Sequence, residues 1–319
     1  LQDFVIPICI CRRDLWILVK RGRLTFAERG AQLPMTLGHE IAGIVEAVGD
    51  IVKNVSIGQQ VLVFPWIGCG DCLACNEDRE SDCSAMRIIG LKQKGGFATH
   101  CIIENEKFLV DIDGLEAAEV VPHACSGITV YNALEKIGSL RDGEWLAVMG
   151  CGGLGLNAIA IARATGFDNI IGIDIDNSKL DAAYEMGASK TLNSKSANAV
   201  AELQRIAESR LMAVIDTFGG ESTGQLAVRT LAKSRQYLLV GQAGGDFKMP
   251  QVWLPLKAMT VRGSHVGNSP QLRRLIDMVR AGKVKQMPIE RRQLSGINQA
   301  VEDLEQGRVT GRIVFITDH

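Results

Sequence analysis

The sequence predicts an α/β protein: a doubly wound parallel sheet of the Rossmann type, joined to a β-rich part. Three observations predict it. From residue 145 onward, short apolar strands alternate with helical segments. A glycine loop over 150–155 stands between the first of those strands and a helix. Ahead of them lie apolar runs punctuated by glycine, with few long helical periods. The 319 residues fit two domains at about 150 residues each, and 46% apolar content lets each bury a core.

In chain order, residues 41–48 and 60–64 read as strands bounded by Gly49-Asp50 and Gly58. Cys69, Cys72, Cys75 and Cys83 follow, spaced C-x2-C-x2-C-x7-C. Two-residue gaps let neighbouring thiolates turn back onto one ion. Four sulfurs complete the closed tetrahedron of structural zinc, with an iron–sulfur centre as the lesser alternative. Such a site stabilises a loop and does no chemistry. Gly95-Gly96 then leads into 97–103, a further strand candidate. The alternating region has strands at 145–149, 170–173, 190–193, 212–215, 237–240 and 259–262. Helices at 154–164, 178–185, 197–209 and 222–231 separate them, and an amphipathic helix at 270–281 lies in the tail.

Gly150, Gly152 and Gly155 form G-x-G-x-x-G, with Gly153 and Leu154 between the last two. Alone the motif is weak; directly after a strand and at the start of a helix it marks a dinucleotide site. Gly150 permits the tight turn, Gly152 a close pyrophosphate, and Gly155 close packing of the helix. The helix N-terminus offers unpaired N–H groups to phosphate. Asp174 ends the second strand, 19 residues after Gly155, where a carboxylate meets ribose hydroxyls. With Asp176 nearby and no arginine following closely, it favours NAD over NADP.

A net charge of −1 excludes the basic field of a nucleic-acid partner. No segment looks transmembrane, and the apolar run 4–11 precedes Arg12 and Arg13, the reverse of a secretory leader. Nine cysteines, an odd number, argue against a paired disulfide framework. Gly38-His39-Glu40 precedes a strand, and Cys11 and Cys125 lie outside the four-cysteine lobe. A catalytic Cys2His zinc needs two thiolates, one imidazole and an open position. Spacing alone cannot join Cys11, His39 and Cys125, and on chemistry alone each reads as a structural residue.

The stretch from Gly38-His39-Glu40 to Gly49, the cysteine lobe, Cys125-Ser126-Gly127-Ile128-Thr129, and the glycine loop with Asp174 together carry a resemblance. The chain resembles the zinc-dependent alcohol dehydrogenases of the medium-chain dehydrogenase/reductase superfamily, over nearly its whole length. The resemblance implies a GroES-like catalytic domain from 1–126 and 267–319 around an NAD-binding Rossmann domain at 127–266. It implies two zincs per chain: a catalytic one on Cys11, His39 and Cys125, with Glu40 as the adjacent acid, and a structural one on the four-cysteine lobe. Thr129 is expected beside the nicotinamide and Arg312 near the cofactor phosphates. The family also implies a cytoplasmic homo-oligomer, dimer or tetramer, acting on a small alcohol or carbonyl substrate.

One departure stands out. Arg13 and Trp16 occupy the positions after Cys11 where the family carries its proton relay, and an arginine is too basic for that task. The expected activity is reversible hydride transfer between an alcohol and NAD. Arg13 suggests an alternative, reduction of a conjugated enone, an enoyl compound or another acidic substrate. A zinc-knuckle binding protein without catalysis is the reading from another class; the glycine loop argues against it.

Overall fold

The structure is a computed structural model that describes residues 4, 5, 7–9 and 34–316. Its strands, in chain order, are β1 (Phe4–Val5), β2 (Pro7–Cys9), β3 (Glu40–Val45), β4 (Gln60–Val63), β5 (Trp66–Ile67), β6 (Arg87–Ile88) and β7 (Leu109–Asp111). They continue as β8 (Trp145–Met149), β9 (Ile170–Asp174), β10 (Lys190–Asn193), β11 (Leu211–Asp216), β12 (Gln236–Leu239), β13 (Thr260–Gly263), β14 (Ile289–Gln293) and β15 (Arg312–Ile316). Two compact units result. One holds the described residues up to Ile128 with Val266–Gly282 and those from Pro288 to Ile316; the other holds Thr129–His265 and Lys283–Met287.

In the first unit a mainly antiparallel sheet runs β14-β15-β2-β3-β4-β7, with β1 against β3. Both faces of β3 are covered, and Ile44 alone of its residues is exposed. That is why its sequence reads as a continuous apolar run and not as an alternation. Ile41, Leu62, Phe64, Phe108 and Val314 meet in one core. The strand ends at Val45, three residues before the expected boundary. There its N–H and carbonyl turn to Gln59 and Gly58, closing the ladder before Gly49.

The expected strand at 97–103 does not form. Gly95, Gly96 and Phe97 donate their N–H groups to Thr36, Gly38 and Leu37, and Ala98 turns back onto Gly96. A Cβ on Gly95 would lie 2.3 Å from the Gly38 carbonyl oxygen. The glycine pair thus serves a close backbone crossing, after which the chain bends and pairs with no strand among the described residues.

The second unit is a six-stranded parallel sheet in the order β10-β9-β8-β11-β12-β13. Every residue of β8 is buried, as a central parallel strand covered on both faces requires. The uncharged sequence 146–162 forms most of this strand and of the helix Gly153–Ala164 that follows it. Strand order reverses between β8 and β11, so the carboxyl ends of those two strands flank the crevice where ligands of such sheets bind.

Candidate active site

The four lobe cysteines converge. Their sulfurs all lie within 4.8 Å of one another, with Cys72 Sγ 3.5 Å and Cys69 Sγ 3.9 Å from Cys75 Sγ. A tetrahedral zinc with Zn–S near 2.3 Å sets sulfur separations of about 3.8 Å, so the donor set fits. Gly68 makes room, since a Cβ there would sit 2.3 Å from Cys75 Sγ. Burial pushes the Cys75 thiol up to about 12, and its thiol neighbours add to the rise. Only a bound cation makes four adjacent thiolates favourable at neutral pH.

The second candidate metal site lies in the first unit. His39 precedes β3 and is 2% exposed; Cys125 opens the helix region and is also buried. Glu40, 0% exposed, accepts a hydrogen bond from the Ser126 N–H at 3.1 Å through one carboxylate oxygen. Its other oxygen pairs with the Arg312 guanidinium. One carboxylate thus ties the residue after His39 to the residue after Cys125, which draws the two donors' segments together. Cys11 and Arg13 lie outside the described residues. The structure turns Arg312 into the interior: its Nε donates to Cys9 Sγ at 3.2 Å while Nη2 holds Glu40. That engagement follows from the antiparallel pairing of β15 with β2.

The glycine loop divides its roles by position. Gly150 has φ +87°, which favours glycine. Gly155 lies in the first turn of the helix, where a Cβ would be 1.8 Å from the Gly150 carbonyl oxygen. Gly152 is the N-cap, Gly153 and Leu154 begin the helix, and a Cβ on Gly152 would meet nothing within 4 Å. Open space at the helix N-terminus is where a pyrophosphate fits. Asp174 Oδ2 accepts from the Cys151 N–H at 2.7 Å, and Oδ1 from Ile175 and Asp176 at 2.7 and 3.1 Å. This fastens the acid to the loop. The Asp176 carboxylate instead caps the next helix through Ser178, which holds it below its ordinary value. Thr129 is buried, and its hydroxyl finds no hydrogen-bond partner among the described residues.

Two acids escaped sequence reasoning. Glu80, 1% exposed, sits in the cysteine lobe with Lys107 Nζ 3.5 Å away. Asp216 ends β11 with its carboxylate fully buried. An acid at the carboxyl end of an apolar strand, the signal that singled out Asp174, could have found Asp216; nothing in the pattern marks Glu80 as buried.

The model of the alcohol dehydrogenase GroES-like domain matches residues 5–114, and that of the zinc-binding dehydrogenase matches 153–281. The chain is 37% identical over 311 residues to the NAD-dependent alcohol dehydrogenase of Sulfurisphaera tokodaii, covering 96% of this chain and 89% of that one. The same figures hold for the NAD-dependent alcohol dehydrogenase of Saccharolobus solfataricus. Among solved structures, the alcohol dehydrogenase of Aeropyrum pernix superposes with a TM-score of 0.91 at 27% identity, over 99% of this chain and 92% of that one.

Proposed function

The chain belongs to the zinc-dependent alcohol dehydrogenases of the medium-chain dehydrogenase/reductase superfamily, and from that premise we propose how its residues carry out the family's reaction. It is an NAD-dependent oxidoreductase that interconverts an alcohol and its aldehyde or ketone. We assign the first unit to the metals and the second to NAD. Cys11, His39 and Cys125 would hold the catalytic zinc, and Cys69, Cys72, Cys75 and Cys83 the structural one. The bound groups supply Lewis-acid activation of the substrate oxygen and acceptance or return of a hydride.

The rest falls to the chain's own side chains. Glu40 orients the segments of both described donors through Ser126 and is paired with Arg312. The N–H groups from Gly152 on receive the pyrophosphate, and Asp174 receives the adenosine ribose and repels a 2′-phosphate. Thr129 offers its unsatisfied hydroxyl to the nicotinamide end. The observation that carries this reading is the Glu40 carboxylate bonded beside both candidate donors.

Its test is zinc analysis combined with a panel of alcohols and NAD. Two equivalents of zinc per chain and one clear substrate are expected. Cys11→Ala should abolish turnover, cost one equivalent of zinc and leave NADH binding intact; full activity in that variant would refute the assignment.

The chain acts on small molecules, and no helix among the described residues is long and apolar enough to cross a membrane. We infer a cytoplasmic homo-oligomer, dimer or tetramer. None of the eight described cysteines is joined in a disulfide, which suits a reducing compartment. The edge strand β13 exposes all four residues, and such an edge offers its unpaired backbone groups to another chain.

A further inference from the structure

We propose that Asp216 and Tyr237 are positioning residues for the cofactor: they fix the turn 217–219 so that the Thr217 hydroxyl holds the Gly150 peptide in its phosphate-binding conformation. The inference rests on the reading of Gly150–Gly155 as the NAD loop.

Asp216 lies in register with Met149 of β8 and Leu239 of β12. Its side chain is spent on the loop that follows it. Oδ1 accepts the N–H groups of Phe218 at 3.0 Å and Gly219 at 2.7 Å, and Oδ2 accepts the Tyr237 hydroxyl at 2.9 Å. A carboxylate with 0% exposure is costly unless its lone pairs are met, and these three donors meet them. Tyr237 is itself buried, edge-on to Phe247, and the neighbouring carboxylate adds to the effect of burial in keeping its hydroxyl protonated. The donor is therefore fixed in both place and charge.

The turn so held presses on the glycine loop. The Thr217 hydroxyl donates within reach of the carbonyls of both Met149 (2.9 Å) and Gly150 (2.7 Å), and the Thr217 N–H donates to Met149 at 2.9 Å. Gly150 is the residue with φ +87°, and its carbonyl oxygen is the atom that excludes a side chain at Gly155. On the far side, a Cβ on Gly219 would lie 2.1 Å from the Gly241 carbonyl oxygen, so the turn has no room to relax. A chain of contacts thus runs from Tyr237 through Asp216 and Thr217 to the peptide that presents the phosphate cradle.

The test uses the full zinc-loaded chain and NADH titrated by fluorescence, with KM for NAD and kcat measured beside it. Tyr237→Phe keeps the ring and removes one donor. It should raise the NADH Kd and the KM for NAD roughly three- to tenfold while kcat at saturation stays within about twofold. Thr217→Val should reproduce the weakening, and Thr217→Ser, which keeps the hydroxyl, should not. The double variant Tyr237→Phe with Thr217→Val should weaken binding by less than the product of the single effects, since both act through one peptide. A Tyr237→Phe chain that melts earlier yet binds NADH as tightly as the unaltered chain overturns the inference alone. An unaltered chain that binds no NADH overturns the underlying reading with it.

Discussion

At the scale of single residues, the glycines of the phosphate loop are not equivalent. Gly155→Ala drives a methyl group into the Gly150 carbonyl, 1.8 Å from the ideal Cβ position. The loop must shift, and the NADH Kd should rise at least about tenfold, the cost of roughly 1.4 kcal/mol of misplaced contacts. Gly152→Ala has open space and an ordinary φ of −78°. Its fold and melting temperature should match the unaltered chain, while the methyl group occupies the room a phosphate needs and weakens binding. Fluorescence titration and circular dichroism separate the two effects. The motif was legible from spacing and context; which glycine serves the backbone and which the ligand was not, because that depends on atoms brought near by folding. Arg312 makes the same point. The resemblance marks it as a residue near the cofactor phosphates; its bonds to Glu40 and Cys9 come from its position in β15 beside β2.

At the scale of elements, the tail helix Ile297–Glu305 is fastened by one acid. Asp303 receives Arg308, Arg292 and Gln299, which hold its carboxyl at about 2 instead of the ordinary 3.8. Because the folded value is depressed, the stabilisation is complete above the unfolded value and is lost as pH falls through about 2. Asp303→Asn should therefore lower the urea midpoint near neutrality, and the gap from the unaltered chain should close as the pH falls from about 4 toward about 2. The cysteine lobe is a second such element. Cys72 caps the short helix Leu73–Asn76 and supplies one of the four sulfurs. Cys72→Ser should cost one equivalent of zinc per chain and open the lobe to limited proteolysis. Retention of both zincs would show that the lobe closes without it. The spacing of the four cysteines announced this element because short loops leave their thiolates few other places to go. The absent strand at 97–103 was less legible: its apolar residues suit a strand, but Gly95 and Gly96 form a crossing against 36–38 and not a strand entry.

At the scale of the whole molecule, we propose that the two compact units divide the chemistry, metals in one and NAD in the other. The proposed association is a property that neither unit's core explains. β13 ends the parallel sheet with Val261 exposed, and Val252 and Leu256 are exposed nearby in the chain. Val261→Lys should shift the assembly toward smaller species in size-exclusion chromatography with light scattering, through charge repulsion at a paired edge. An unchanged mass would place the interface elsewhere.

What the sequence by itself determined is local or periodic. The alternation of strands and helices set the parallel sheet, two-residue gaps set the cysteine knuckle, and a glycine motif between strand and helix set the phosphate cradle. Each follows from neighbours in the chain, whose chemistry spacing alone constrains. Tertiary structure decided what depends on residues far apart: Glu40 bridging Ser126 and Arg312, Asp216 meeting Tyr237, and Glu80 buried beside Lys107. In the sequence Glu80 looks like any surface carboxylate, and nothing there shows which partners Glu40 and Asp216 will meet. Only folding removes them from water, and only then does each need the partner that gives it a role.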